Sequence, residues 1–457
     1  MSPDVGTEAT LTTTTGCSRA ELRERGRAAR TARAHGDLAG WSPPAGRDPL
    51  AVLAATDRDR IPELVAVRYQ RMAASPFAFL RGAAAVMAQD LGSMPSSGLH
   101  VQLCGDAHIA NFGVFATPER RTVFDVNDFD ETLPGPFEWD VMRLAASCVV
   151  VAAAAAGRRS SRPAAVATAA VQAYSAEIDQ LEGQSTFDIW YSTIDVDALL
   201  ADPATWHTSE TVARDIARSA TRTNLAAFDQ LTAVVGGRRV IVDDPPLVTH
   251  SGDAEELGGL HGFHRAYGAT LPAERRALLE RFEVIDAARK AVGVGSVGTR
   301  CYLLLLEGSA DGEPLLLQVK QAQPSILEAV VGRSPLANHA ERVVRGQRLL
   351  QSATDPLLGW ARFGDIDVHV RQLWDRKGGM NLADVGPRVL TRYAELCGAA
   401  LARAHARSSH PSLLRGYLGN GSRFSDAVTA FATAYAAQTA HDHAALTAAR
   451  ADGHLSG

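Results

Sequence analysis

The sequence predicts an α+β fold in which a β-rich unit interrupts two helical regions. From Asp140 to about residue 232, apolar residues recur three and four apart, as in "SRPAAVATAAVQAYSAEI". That is the period of one helix face. Near residue 284 the texture changes to short apolar runs cut by glycine turns, "TRCYLLLLEGSADGEPLLLQVKQA", which reads as strands joined by hairpins. Beyond about residue 376 the helical period returns. The expected division is a flexible segment at 1–45, a mainly helical unit at 46–285, a β-rich unit of five strands at 286–375, and a helical part at 376–457 that packs with the first. A chain of 457 residues is long for one compact unit, which agrees with such a division.

The elements follow in order. The opening threonine-rich stretch and the basic "RERGRAARTARAHG" read as a solvated tail. In "SPFAFLRGAAAVMAQDL", Ser75 is placed to cap a helix that has Pro76 in its first turn. "GLHVQLCGDAH" is a short strand running into a polar loop, and "VFATPERRTVFDV" is two strands about a turn. "LAASCVVVAAAAAG" (144–157) is apolar all round, which suits a helix buried on every side. It falls short of the roughly 20 apolar residues that a membrane span needs. Helices are expected at "NHAERVVRGQRLLQ" (338–351), "GPRVLTRYAELCGAALARAHARSS" and "SDAVTAFATAYAAQTAHDHAALTAA", with strands at "WARFG" and "DVHVRQLWD".

Bulk properties narrow the function classes. The net charge is −5, with 46% hydrophobic and 21% charged residues. There is no basic signature for nucleic acid or an acidic membrane surface. Five cysteines, Cys17, Cys104, Cys148, Cys301 and Cys397, are scattered without metal-ligand or redox spacing. With no secretory signal visible, a reducing cytoplasm is expected.

Three segments carry chemistry. "GVGSVG" places Gly293, Gly295, Ser296 and Gly298 in a G-x-G-x-x-G spacing, where backbone N–H groups can approach phosphates unobstructed. A strand follows it rather than a helix, which resembles the glycine loop of protein kinases more than a dinucleotide turn. The next strand holds Lys320 among apolar residues, a costly place for an ammonium unless an anion meets it. In a kinase-like lobe that lysine binds the α- and β-phosphates and pairs with a helix glutamate. Glu328 and Glu341 are both candidates, and spacing leaves the choice open. The third segment is "CGDAHIANFG", with Asp106 and Asn111 five apart as in a kinase catalytic loop. It is followed by "DVNDFDET".

"GDAHIAN" resembles the G-D-x-H-x-x-N form of aminoglycoside- and choline-kinase-like phosphotransferases. That resemblance implies Asp106 as catalytic base, Asn111 as a Mg²⁺ ligand and Asp128 as the second metal ligand, with Asp125 as the runner-up. His108 is expected to order the loop, and Asp140 to cap the helix that follows. Cys104 stands where those enzymes usually have histidine. Over most of the chain past residue 45, the run from "RMAASPFAFLRG" through "VFDVNDFDETLPGPFEWDVMRLAAS" to "LARAHARSS" resembles a bacterial family catalogued as domain of unknown function 2252. The order of motifs departs from a conventional kinase, because the catalytic segment precedes the glycine loop and lysine. A circularly permuted, two-lobe kinase-like fold accounts for this, and permutation is tolerated where termini and cut lie at the surface. The expected activity is ATP- and Mg²⁺-dependent phosphoryl transfer to a small-molecule hydroxyl. Nucleotidyl (AMP) transfer and an inactive nucleotide-binding module are the alternatives.

Overall fold

The computed structural model describes residues 8–156, 162–201, 221, 224–245, 247–250, 260–290, 297–308, 312–373, 378–382 and 385–453. It is a mixed α+β structure with several antiparallel sheets. Its largest core is helical. The helices Phe137–Ala156, Pro163–Glu182, Pro387–Ser408 and Ser422–Ala451 pack around Leu144, Ala167, Tyr174, Leu401 and Phe431, all buried. Gly398 allows the closest approach: a Cβ there would lie 2.1 Å from the Ala170 carbonyl oxygen of the neighbouring helix. The apolar run is interior packing from Leu144 to Ala152, while Ala153 and Ala154 are exposed, and no helix among the described residues is long and apolar enough to cross a membrane.

The β-rich unit is a sheet of six strands, not five. Their order is Gly359–Phe363, Ile366–Gln372, Pro314–Ala322, Cys301–Gly308, Phe282–Lys290 and Val248–Thr249, each antiparallel to its neighbour. The added edge strand is two residues long, too short to show an alternating pattern. One face packs Leu304, Leu306, Leu317 and Val319 against Phe263, Tyr267 and Leu279 from two helices before the sheet. The other packs Leu303, Leu305 and Leu316 beside Ala227. The helix His339–Leu350, capped by Asn338, belongs to the main core through Ala340, Val343 and Leu350. It thereby joins the sheet to the helical body. The turn expected at 310–312 lies partly outside the described residues.

Two other expectations change. The stretch 1–45 is not a loose tail from residue 8 onward. A capping box at Ser18 and Glu21 starts the helix Arg19–Ala32, and its Leu22 is buried. Gly26 of that helix lies against the backbone of the helix Pro411–Leu418. Small and apolar residues on one face dock this otherwise basic helix. Within the region read as helical, Thr232–Val235 and Arg238–Ile241 form a hairpin about Gly236 and Gly237. Both glycines have positive φ, at 58° and 79°, as a two-residue hairpin turn requires.

Candidate active site

The strand His100–Leu103 leads into the polar loop through Gly105, whose φ is 85°. A Cβ at Gly105 would lie 2.3 Å from the Glu131 carbonyl oxygen, so glycine is required where two loops cross. The N–H groups of Cys104 and Gly105 donate to the two oxygens of Asp140, at 2.8 and 3.1 Å. Asp140 was expected to cap its helix. It lies inside the first turn of Phe137–Ala156 instead, and clamps the loop backbone. Its Oδ2 is also 3.2 Å from His405 Nε2, and His405 Nδ1 is 2.9 Å from the Tyr174 hydroxyl. These groups are buried, so His405 is a hydrogen-bonded core residue. Cys104 is buried too, and burial pushes its thiol pKa well up.

The carboxylate of Asp106 accepts from Arg143 Nε at 2.8 Å. Burial pushes the Asp106 pKa above the ordinary range, and the Arg143 charge opposes that rise. Arg143 also donates to the Leu80 carbonyl at 2.7 Å, so one guanidinium ties the loop to the helix Pro76–Gly82. Ser75 caps that helix as predicted, accepting from the Ala78 N–H. Asn111 ends the short 3₁₀ turn Ile109–Asn111. Its Nδ2 donates to the Asp106 carbonyl at 2.7 Å, and its own carbonyl accepts from the Asn127 N–H at 2.8 Å. The second contact sets the acidic run beside the loop. His108 is buried and packs edge-on against Phe77. Burial pushes its pKa well down, which keeps the ring neutral.

Asp106, Asn111, Asp128, Asp130 and Glu131 line one cleft of about 310 Å³ with Arg60, Arg81, Thr299 and the segment Gln321–Pro324. Lys320 reaches this acidic run from the sheet. Its Nζ is ion-paired and hydrogen-bonded to Asp130 Oδ2, across 190 residues of sequence. Burial opposes the ammonium charge, but the charges of Asp130 and Asp128 outweigh it and raise the Lys320 pKa. Neither expected glutamate is the partner. Glu328 accepts from the Ser325 N–H, and Glu341 pairs with Arg345 one turn along its helix. Asp125 does not join the cleft. Its oxygens accept from the N–H groups of Val126 and Ser352, and it interacts with Arg407. Gly293, Gly295 and Ser296 lie outside the described residues. Gly298 has φ 90°, and its carbonyl accepts from the Ile61 N–H at 2.8 Å. Arg60 donates to the carbonyl of the adjacent Val297.

Sequence reasoning missed two arginines. Arg143 is a lone cation in an apolar helix, three residues after Asp140, which is itself a signal for a buried partner. Arg342 follows Glu341, points inward, and donates to the carbonyls of Thr132, Asp130 and Gln323 at 2.7–2.9 Å. Among the described residues no three His, Cys, Asp or Glu side chains gather as a metal cage. Mg²⁺ does not need one, since it is commonly held by one or two carboxylates together with phosphate oxygens. With Asn111 Nδ2 engaged on Asp106, its Oδ1 is the atom left to face a cation, and Asp128 lines the same cleft. The donor set fits Mg²⁺.

No curated protein and no solved structure matches the chain. Residues 60–449 match the bacterial family described as "Uncharacterized protein conserved in bacteria (DUF2252)", and the chain belongs to that family.

Proposed function

We propose that this chain is an ATP- and Mg²⁺-dependent phosphotransferase acting on a hydroxyl of a small molecule. We further propose that its fold is kinase-like and permuted, with the catalytic segment ahead of the nucleotide segment. The observation that carries this reading is the Lys320–Asp130 pair. It ties the lysine strand to Asp130, which lines one cleft with Asp106 and Asn111, although strand and carboxylates are far apart in sequence. A buried lysine aimed at a run of carboxylates is the charge arrangement that phosphates and a divalent cation would complete.

In this reading Lys320 holds the α- and β-phosphates. Asp128 and Asn111 Oδ1 would hold Mg²⁺, which supplies neutralisation of phosphate charge. Asp106, aimed by Arg143, accepts the proton of the acceptor hydroxyl. The acceptor oxygen forms a bond to the γ-phosphorus as the bond from that phosphorus to the bridging oxygen breaks, and ADP leaves. The loop that carries Asp106 is clamped before any ligand arrives, so little reorganisation accompanies the step.

Thermal unfolding with and without ATP and Mg²⁺ tests the reading on wild type, Asp128→Asn and Lys320→Ala. A ligand at a hundred times its dissociation constant adds about 2.7 kcal/mol to stability. The expected result is a nucleotide shift that requires Mg²⁺ and is lost in both variants. A wild type that does not respond to millimolar nucleotide and Mg²⁺ overturns the reading.

A further inference from the structure

The cleft holds a cation that the roles above leave unused. Arg81 is the next-to-last residue of the helix Pro76–Gly82 and lines the cleft with Asp106, Asn111 and Asp128. Its charge interacts with both Asp106 and Asp128. Yet among the described residues it makes no hydrogen bond or ion pair, unlike its neighbours. Arg60 donates to Thr56 and Val297, Arg68 to Asp57 and Gly82, and Arg143 to Asp106 and Leu80. Arg81 is half-buried and keeps its planar set of N–H donors available at the cleft.

Its backbone is held firmly. The Leu80 carbonyl accepts from Arg143, the same guanidinium that aims Asp106. The Gly82 carbonyl accepts from Arg68 at 3.0 Å. A Cβ on Gly82 would lie 2.6 Å from the Met72 side chain, so this turn sits tight against the preceding helix Pro62–Met72. Leu80 is thus tied to Asp106 through Arg143, and Gly82 to the preceding helix through Arg68 and Met72.

We infer that Arg81 binds the terminal phosphate of the nucleotide, between the Asp106 carboxylate and Asp128, and is a further residue in contact with the reacting group. A guanidinium presents a rigid fork that matches two phosphate oxygens. Lys320 enters from the sheet on the Asp130 side, whereas Arg81 enters from the helical body beside the proposed base. The two cations therefore serve different phosphates. This inference rests on the phosphotransferase reading, and it adds a γ-phosphate reader to it.

Calorimetric titration of the full chain with Mg²⁺-ATP and with Mg²⁺-ADP separates the two ideas. Arg81→Gln is expected to weaken ATP by about ten- to a hundredfold, the loss of a charged hydrogen-bonding partner, while leaving ADP affinity unchanged. Arg81→Lys keeps the charge without the fork. It is expected to lose part of the ATP affinity, again with ADP unchanged, and it decides the matter if the glutamine variant misfolds. Equal losses for both nucleotides in Arg81→Lys, or no change for either in both variants, overturn the assignment of Arg81 while the phosphotransferase reading stands. A wild type that binds neither nucleotide overturns that reading and this inference together.

Discussion

The helical side of the cleft and its sheet side hold their charged groups in different ways. On the helical side Asp140 and Arg143 are fixed by buried neighbours. Asp140 accepts from two loop N–H groups and contacts His405, and Arg143 bridges Asp106 to the Leu80 carbonyl. On the sheet side Lys320 has one carboxylate partner, Asp130, whose side chain remains 29% exposed. The first arrangement is rigid in advance of any ligand. The second is an ion pair at the edge of solvent, which an incoming phosphate can rearrange. Stability should thus depend far more on the helical clamps than on the lysine, although nucleotide binding depends on both.

Asp140→Ala tests this contrast most severely. It leaves the N–H groups of Cys104 and Gly105 without their carboxylate acceptor and strands His405 in the core. Removing one member of a buried, hydrogen-bonded charged network costs about 3–5 kcal/mol, and chemical denaturation should show a loss of that size. A loss under about 1 kcal/mol, the worth of an ordinary hydrogen bond, would mean that the loop is not held by Asp140. Arg143→Met should follow at about 2–3 kcal/mol, because Asp106 is 19% exposed and can regain some hydration. Without Arg143 the Asp106 pKa, already raised by burial, moves higher. The folded state then holds a proton that the unfolded chain has released, so the deficit should shrink as pH falls through the Asp106 titration.

The same contrast explains what could be read in advance. That Asp106, Asn111 and Asp128 would share one cleft was legible, because they lie within one short stretch of chain and local backbone geometry brings such residues together. Lys320 was legible as a charge in an apolar strand, which demands a partner. Its partner was not legible. Glu328 and Glu341 are closer in sequence, and the choice of Asp130 depends on how the sheet docks on the helical body. Asp140 was read as a helix cap, which accounted for it locally, and Arg143 was missed. Their targets, 35 to 265 residues away, are set by tertiary packing. The expected count of five strands failed for a related reason, since the two residues Val248 and Thr249 carry no period.

Glu131 offers a smaller test at the boundary between the two sides. Burial pushes its pKa to about 7, against the opposing Arg342 charge and the Ile326 N–H that its carboxylate accepts. The folded state therefore binds a proton more tightly than the unfolded chain does. Its contribution should weaken stability as pH rises from about 4.5 to about 7 and level off above. The change is on the order of 1–3 kcal/mol. Glu131→Gln keeps an acceptor for Ile326 without the charge, so the variant should lose this slope and match or exceed wild type at pH 7.5. Parallel pH profiles of unfolding free energy for the two proteins would remove the assignment of the slope to Glu131.

The smallest stability effect is expected at Lys320, and it sharpens the comparison most. Lys320→Met keeps the buried stem and removes the ammonium. It leaves Asp130 facing Asp128 without a cation between them. Because Asp130 is partly exposed, it can take up water or a proton, and the cost should be about 1–2 kcal/mol rather than the 3–5 of a fully buried pair. The sign with pH follows from the same carboxylate. Burial already raises the Asp130 pKa, the Asp128 charge adds to it, and Lys320 opposes both. Losing the lysine raises it further, so the difference from wild type should be largest near neutral pH and shrink on acidification. Differential denaturation at pH 5 and pH 7.5 measures this. A cost as large as that of Asp140→Ala, unchanged between the two pH values, would show that the lysine is part of the rigid frame, and the division between a fixed helical side and an adjustable sheet side would fail.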